Sequence, residues 1–150
     1  MNGFNNFEKR MFEMAKKEAE LSDFDQFHVG AVITYNGNVI GRGHNSDKTH
    51  PMQKKYNKAY RVFNNQDGKP IKDSIHAEMA AVLNITYVQS LNIKNWNNVK
   101  IFIYRIAPGL PNGYGSARPC PACMHMLRDF NISNVYYTDK YGYSYLKIED

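Results

Sequence analysis

Two short stretches constrain this chain more than anything else in it. One is Ser74-Ile75-His76-Ala77-Glu78; the other is Pro119-Cys120-Pro121-Ala122-Cys123, which holds both cysteines. Each reads as the opening of a helix. Ser74 or Asp73 offers an N-cap before the apolar positions Met79, Ala80, Val82, Leu83 and Tyr87, giving a helix from Ile75 to about Leu91. Pro119 and Pro121 suit the first turn of a second helix from Cys120 to Phe130. A fold that uses these side chains together must bring the two helix starts to one point.

The chemistry of the donors supplies a reason to do so. Catalytic zinc sites typically use three protein ligands and leave a fourth position open. Cys120 and Cys123 fall on one face of a helix start, where thiolates are favoured. His76, in the first turn of the other helix, leans back over its end. Glu78, two positions on, is offset from the ligand set, yet stays close enough to exchange protons there. Zinc lowers the pKa of water from about 15.7 to about 7, so a neighbouring carboxylate has a proton to take. Two other readings use the same residues. A Cys-x-x-Cys pair also serves thiol redox chemistry. A closed structural zinc would need one more ligand, from His28, His44, His50 or His125.

Composition narrows the setting. At 150 residues, 43% hydrophobic and 22% charged, the chain is expected to form one domain over 1–150 with a packed core. No apolar run approaches the roughly 20 residues that span a bilayer, and Met1–Asn5 carries no secretory signal, so a cytoplasmic location is expected. In that reducing setting a structural disulfide is disfavoured. The net charge of +5 suits phosphate-bearing ligands or nucleic acid, and equally a solvated basic surface.

In chain order, Phe4 to Leu21 is amphipathic, with Phe4, Phe7, Met11, Met14, Ala15 and Leu21 near one face. Two β-branched runs, Phe27–Tyr35 and Asn38–Gly43, flank Asn36-Gly37, the signature of a tight hairpin. Gly30 and Ala31 inside the first run allow close approach of a ligand or of another backbone. A long polar segment to Asp73 carries Lys48, Lys54, Lys55, Lys58, Arg61, Lys69 and Lys72, with Tyr56, Tyr60 and Phe63 at helical spacing. It reads as a binding loop or lid holding a short helix. Val99–Tyr104 is a central strand, Ala107–Arg118 an irregular loop, and Asn134–Thr138 and Tyr143–Ile148 a final antiparallel hairpin. The order α-β-β-α-β-α-β-β gives a three-layer α/β/α sandwich around a five-stranded mixed sheet.

His76-Ala77-Glu78 with Pro119-Cys120-Pro121-Ala122-Cys123 resembles the signature of the zinc-dependent cytidine and deoxycytidylate deaminase superfamily. The order of elements along nearly the whole chain is similar to that fold. The resemblance implies that His76, Cys120 and Cys123 bind Zn2+, and that Glu78 is the catalytic proton carrier. It implies substrate contacts from Asn45, from Phe27 and Val29 in the strand that floors the base pocket, and from Ala77. It also implies a homo-oligomer. His76 stands where free-cytidine deaminases usually have cysteine, which is like the deoxycytidylate, tRNA-adenosine and polynucleotide enzymes; the terminal hairpin is like the free-cytidine type. Arg118 stands where a glutamate often precedes Pro-Cys. The expected activity is deamination of cytosine in a free nucleoside or nucleotide, with Arg118 and the Lys48–Arg61 segment as candidate phosphate contacts. The alternatives are a deaminase acting on single-stranded DNA or RNA, and a non-catalytic zinc-stabilised binding module.

Overall fold

The computed structural model describes residues 3–60 and 74–149. Its first helix, α1 (Asn6–Ala19), starts where Asn5 closes a capping box with Glu8. The hairpin β1 (His28–Tyr35) and β2 (Asn38–His44) follows, turning through Asn36 and Gly37 at φ of 50° and 84°. Only short polar residues and glycine hold such angles cheaply, so the Asn-Gly signal is satisfied literally. Next come α2 (Pro51–Tyr60), α3 (Ala77–Leu83) and α4 (Tyr87–Leu91), then β3 (Val99–Ile106) and β4 (Tyr114–Gly115). The chain continues through α5 (Pro121–Asp129), β5 (Asn134–Asp139) and β6 (Gly142–Lys147).

The sheet runs β2-β1-β3-β5-β6, antiparallel except for the parallel pair β3 and β5, around which helix α5 makes the crossover. The five-stranded expectation needs one addition. Tyr114 and Gly115, within the expected loop, pair with Ile106 and Arg105 beyond the point where β5 stops, making a sixth strand.

Strand alternation divides the core into two layers. On one face Val32, Phe102, Tyr104 and Tyr136 pack against Met11, Phe12 and Ala15 of α1. On the other, Ala31, Ile33, Ile101, Ile103, Val135 and Tyr137 meet Met79 and Val82 of α3 and Met126 and Leu127 of α5. Full burial of Phe12 alone is worth roughly 2–3 kcal/mol. Leu21, assigned by periodicity to the inner face of α1, lies past its end and is 64% exposed.

Two close approaches set the helices on the sheet. A Cβ on Gly30 would overlap the backbone of Ala15 and Ala19, so Gly30 serves a strand–helix contact on that face, while Ala31 packs into the opposite layer. On the opposite face, a Cβ on Gly43 would come 2.5 Å from Ala81 N and one on Gly41 would come 2.6 Å from Ala81 O. These glycines let α3 lie directly on β2.

The single helix expected from Ile75 to Leu91 is two. His76, not Ser74 or Asp73, is the N-cap of α3. Ser74 instead forms a β-bridge with Thr49. Asn84 ends α3 and ties its Nδ2 to Arg42 O at 2.7 Å, and Thr86 restarts the chain with its own capping box to Gln89. The break turns Tyr87 outward to 76% exposure, against its expected inner position, and Leu83 is 39% exposed. Local capping chemistry outcompeted the apolar periodicity there.

The basic segment after β2 holds α2; its remainder at 61–73, with Arg61, Phe63, Lys69 and Lys72, lies outside the described residues. Among the described residues no helix is long and apolar enough to cross a membrane.

Candidate active site

His76 and Cys120 occupy equivalent places, each the extended N-cap residue of its helix, α3 and α5. Neither is among the residue types favoured at an N-cap. Both turn toward one point instead. His76 Nδ1 lies 3.7 Å from Cys120 Sγ and 3.3 Å from Cys123 Sγ, and all three donor atoms fall within 4.8 Å of one another. Tetrahedral zinc with bonds of about 2.0–2.3 Å puts neighbouring N and S donors about 3.6 Å apart. The triad therefore fits zinc by spacing as well as by donor type. Among the described residues the cluster has no fourth histidine, cysteine or carboxylate. His44 faces Glu18, His50 accepts from Met52 N, and His125 stacks on Tyr60 and meets Arg128.

The environment prepares these donors. A hydrogen bond with Cys123, reinforced by His76, holds the Cys120 thiol down at about 3 against the opposing effect of burial. Thiolate is the metal-binding form. Glu78, on the first turn of α3, is 5% exposed, and burial pushes its carboxyl above the usual carboxylate range despite the opposing His76 charge. Cys123 lies within hydrogen-bond reach of that carboxyl.

Helix α2 acts as a strut behind the triad. Gln53, fully buried, accepts from His76 N at 3.0 Å through Oε1 and donates to Asn57 Oδ1 at 2.9 Å. One turn on, Tyr56 donates to Asp129 Oδ2 of α5 at 2.7 Å. One helix thereby braces both the loop that delivers His76 and the helix that delivers the cysteines. Sequence reading found the helical spacing of Tyr56 and Tyr60 but assigned Gln53 no role; an uncharged amide in a basic segment carries no local signal of burial.

A cavity of about 220 Å³ opens over His76, Ala77, Glu78 and Cys120. That is below the roughly 300–1,000 Å³ of sites for drug-sized ligands, so it admits a small molecule or one unit of a larger one. Phe24, Phe27, Val29 and Asn45 line one side, and Arg105, Ser116, Ala117 and Arg118 another. All the expected site residues thus meet at one cavity, except Cys123, which is buried behind it. Lys48, Lys54, Lys55 and Lys58 do not line it.

Asn45 is already engaged by the protein. Its Oδ1 accepts from Ser22 Oγ at 2.6 Å and Val29 N at 2.9 Å, and its Nδ2 donates to Phe27 O at 2.9 Å. It fastens the cavity floor from below, with one amide N–H left over among the described contacts.

The sequence pattern described as the cytidine and deoxycytidylate deaminase zinc-binding region matches residues 5–139. The chain belongs to this family. No curated protein matches it in sequence. Among solved structures, it is similar to the dCMP deaminase of cyanophage S-TIM5, crystallised with dCMP and dUMP. There the identity is 19%, the TM-score 0.54, and coverage 91% of this chain and 83% of the other. It is also similar to the cytidine deaminase of Burkholderia pseudomallei, at 16% identity and a TM-score of 0.59, covering 99% and 94%. At such identities the likeness concerns the fold, and it extends to both named types. Zinc is the family's metal, and the triad suits it.

Proposed function

We propose that this chain is a zinc-dependent hydrolase, acting as one deaminase domain, that converts cytosine to uracil in a free nucleoside or nucleotide and releases ammonia. The observation that carries the reading is the burial of Glu78 beside three convergent metal donors, at a cavity of about 220 Å³.

His76 Nδ1, Cys120 Sγ and Cys123 Sγ would hold the zinc. When bound, the ion supplies acidified water, its pKa lowered from about 15.7 to about 7. Everything else falls to the side chains. The Glu78 carboxylate accepts a proton from water and passes it to the ring nitrogen of the base. It then carries a second proton to the departing amine, so water adds at C4 and ammonia leaves. Phe27 and Val29 offer apolar surface to the base, and Ala77 leaves room beside it. Asn45 holds that floor in place and presents its remaining amide hydrogen to the sugar.

Glu78→Gln separates catalysis from metal binding. The variant should bind zinc stoichiometrically, as metal analysis reads, while ammonia release from cytidine, deoxycytidine and their monophosphates falls by at least about 10²–10⁴-fold. Activity near the parent level in a zinc-loaded Glu78→Gln protein excludes the proposed proton route.

A further inference from the structure

Arg105 stands where two cavities meet. With Ser116 it lines both the cavity over Glu78 and a neighbouring one whose walls include Leu110, Asp139, Lys140 and Tyr141. Its direction follows from register. Arg105 lies opposite Val29 of β1 and opposite Gly115 of β4, and residues directly opposite in a sheet share a face. Val29 is part of the catalytic cavity's floor, so Arg105 rises beside it. The backbone there is pinned: Arg105 N donates to Thr138 Oγ1 at 3.2 Å, and that hydroxyl donates to Gly115 O at 2.8 Å.

Among the described residues the guanidinium has a platform and no counter-anion. Its central carbon lies 4.9 Å from the centre of the Phe27 ring. Among the described residues no carboxylate oxygen lies within 4.0 Å of its nitrogens, and none accepts a hydrogen bond from its side chain. A half-buried arginine normally offsets its lost hydration with an anion. Here its planar fork of five N–H donors, set over an aromatic ring, is presented to a cavity. Arg118, in the same wall, gives one N–H to the Tyr137 hydroxyl at 3.2 Å and keeps the rest. Lys140 adds a cation across the second cavity. Asp139, the acidic residue there, accepts from Tyr141 N and Ser144 Oγ.

We infer that Arg105 binds a phosphate carried on the substrate's sugar, so that this site selects nucleotides over nucleosides. The inference rests on the cytosine-deaminase reading above and names the substrate class for it. Arg118 and Lys140 contribute charge on either side of the phosphate. The recognised group is shared by a mononucleotide and by the phosphodiester of a single strand, and the experiment distinguishes them.

The test compares the zinc-loaded parent with Arg105→Met, which keeps an apolar side chain over Phe27, and with Arg42→Met, which removes an exposed charge on β2 outside both cavities. Substrates are cytidine, cytidine monophosphate and a cytosine-containing trinucleotide. Calorimetry with the products uridine and uridine monophosphate reads binding without turnover. Losing a charge-assisted contact costs roughly ten- to a hundredfold. Arg105→Met should lower the monophosphate-to-nucleoside ratio of kcat/KM by that factor and weaken uridine monophosphate to a similar degree, relative to uridine. Arg42→Met should leave both ratios alone. A trinucleotide preference that Arg105→Met also abolishes supports the contact and makes a phosphodiester its source. A parent that treats nucleoside and monophosphate alike overturns the inference, as does an equal loss on both in Arg105→Met. If no cytosine substrate reacts while uridine monophosphate binding still depends on Arg105, the activity reading fails and the phosphate contact stands.

Discussion

Gln53→Leu is the most informative perturbation of the scaffold, because one buried side chain braces the proposed metal histidine from behind. The side chains are similar in size, so the change removes polarity with little change in packing. What disappears is the acceptor for His76 N, 3.0 Å away, and the donor to Asn57 Oδ1, 2.9 Å away. A part-buried N–H stripped of its acceptor costs about 1–3 kcal/mol, and the added apolar surface returns some of that at ~0.8 kcal/mol per buried CH₂. The net loss is about 1–2 kcal/mol, which in a chain of this length lowers Tm by roughly 2–8 °C. Supporting contacts behind metal ligands typically tune affinity by about 10–100-fold, so zinc should bind at least about tenfold more weakly in competition with a chromophoric chelator. Tyr56→Phe is the control. It cuts the 2.7 Å bond from the same helix to Asp129, the last residue of α5 and the end remote from Cys120 and Cys123, so Tm should fall with a smaller loss of zinc affinity than in Gln53→Leu. Unchanged zinc affinity in Gln53→Leu, with Tm lowered in both variants, would refute the idea that α2 orients His76.

Two further outcomes follow from packing and burial. In Gly43→Ala the new Cβ would sit 2.5 Å from Ala81 N and 2.6 Å from Ala80 C, both backbone atoms, so α3 must shift. Denaturant titration should show a loss of about 1–3 kcal/mol, with weaker zinc binding because α3 begins at His76; parent-like stability and affinity would contradict the close packing of α3 on β2. Alkali should act through the buried phenols. Burial holds Tyr56 and Tyr104 up at about 12 and raises Tyr136 as well, whereas unfolded tyrosine ionises near 10. The folded state therefore binds protons more tightly, and this contribution is complete below about pH 10 and lost as pH climbs through about 12. Part of the phenolate absorbance should appear only as far-ultraviolet circular dichroism collapses, and complete phenolate formation before that collapse would contradict it.

The legible parts of the chain were those where physics is local. Asn36-Gly37 specifies a turn through its own backbone preferences, and the alternating β-branched runs specify strands whichever partners they find. Pro119 and Pro121 mark a helix start for the same reason. The ending of the expected long helix was also local, but its signals conflicted. Apolar spacing carried past Asn84, while Asn84 and Thr86 supplied a stop and a new cap, and their hydrogen bonds prevailed. The sixth strand could not be seen, since two residues acquire strand character only by lying against the free edge of β3.

The candidate site divides along the same line. His76, Glu78, Cys120 and Cys123 were readable because metal and proton chemistry restrict residue type, and because a helix start restricts direction. Sequence alone therefore determined which donors converge, the carboxylate proposed to carry protons beside them, and the order of the main elements. Gln53 behind His76, the three bonds that commit Asn45 to the cavity floor, and Arg105 laid over Phe27 at the joint of two cavities came only with the tertiary structure. Each joins residues distant in the chain, and each depends on which face of an element turns inward. Burial and register settle that, and they are properties of the packed sheet and helices together.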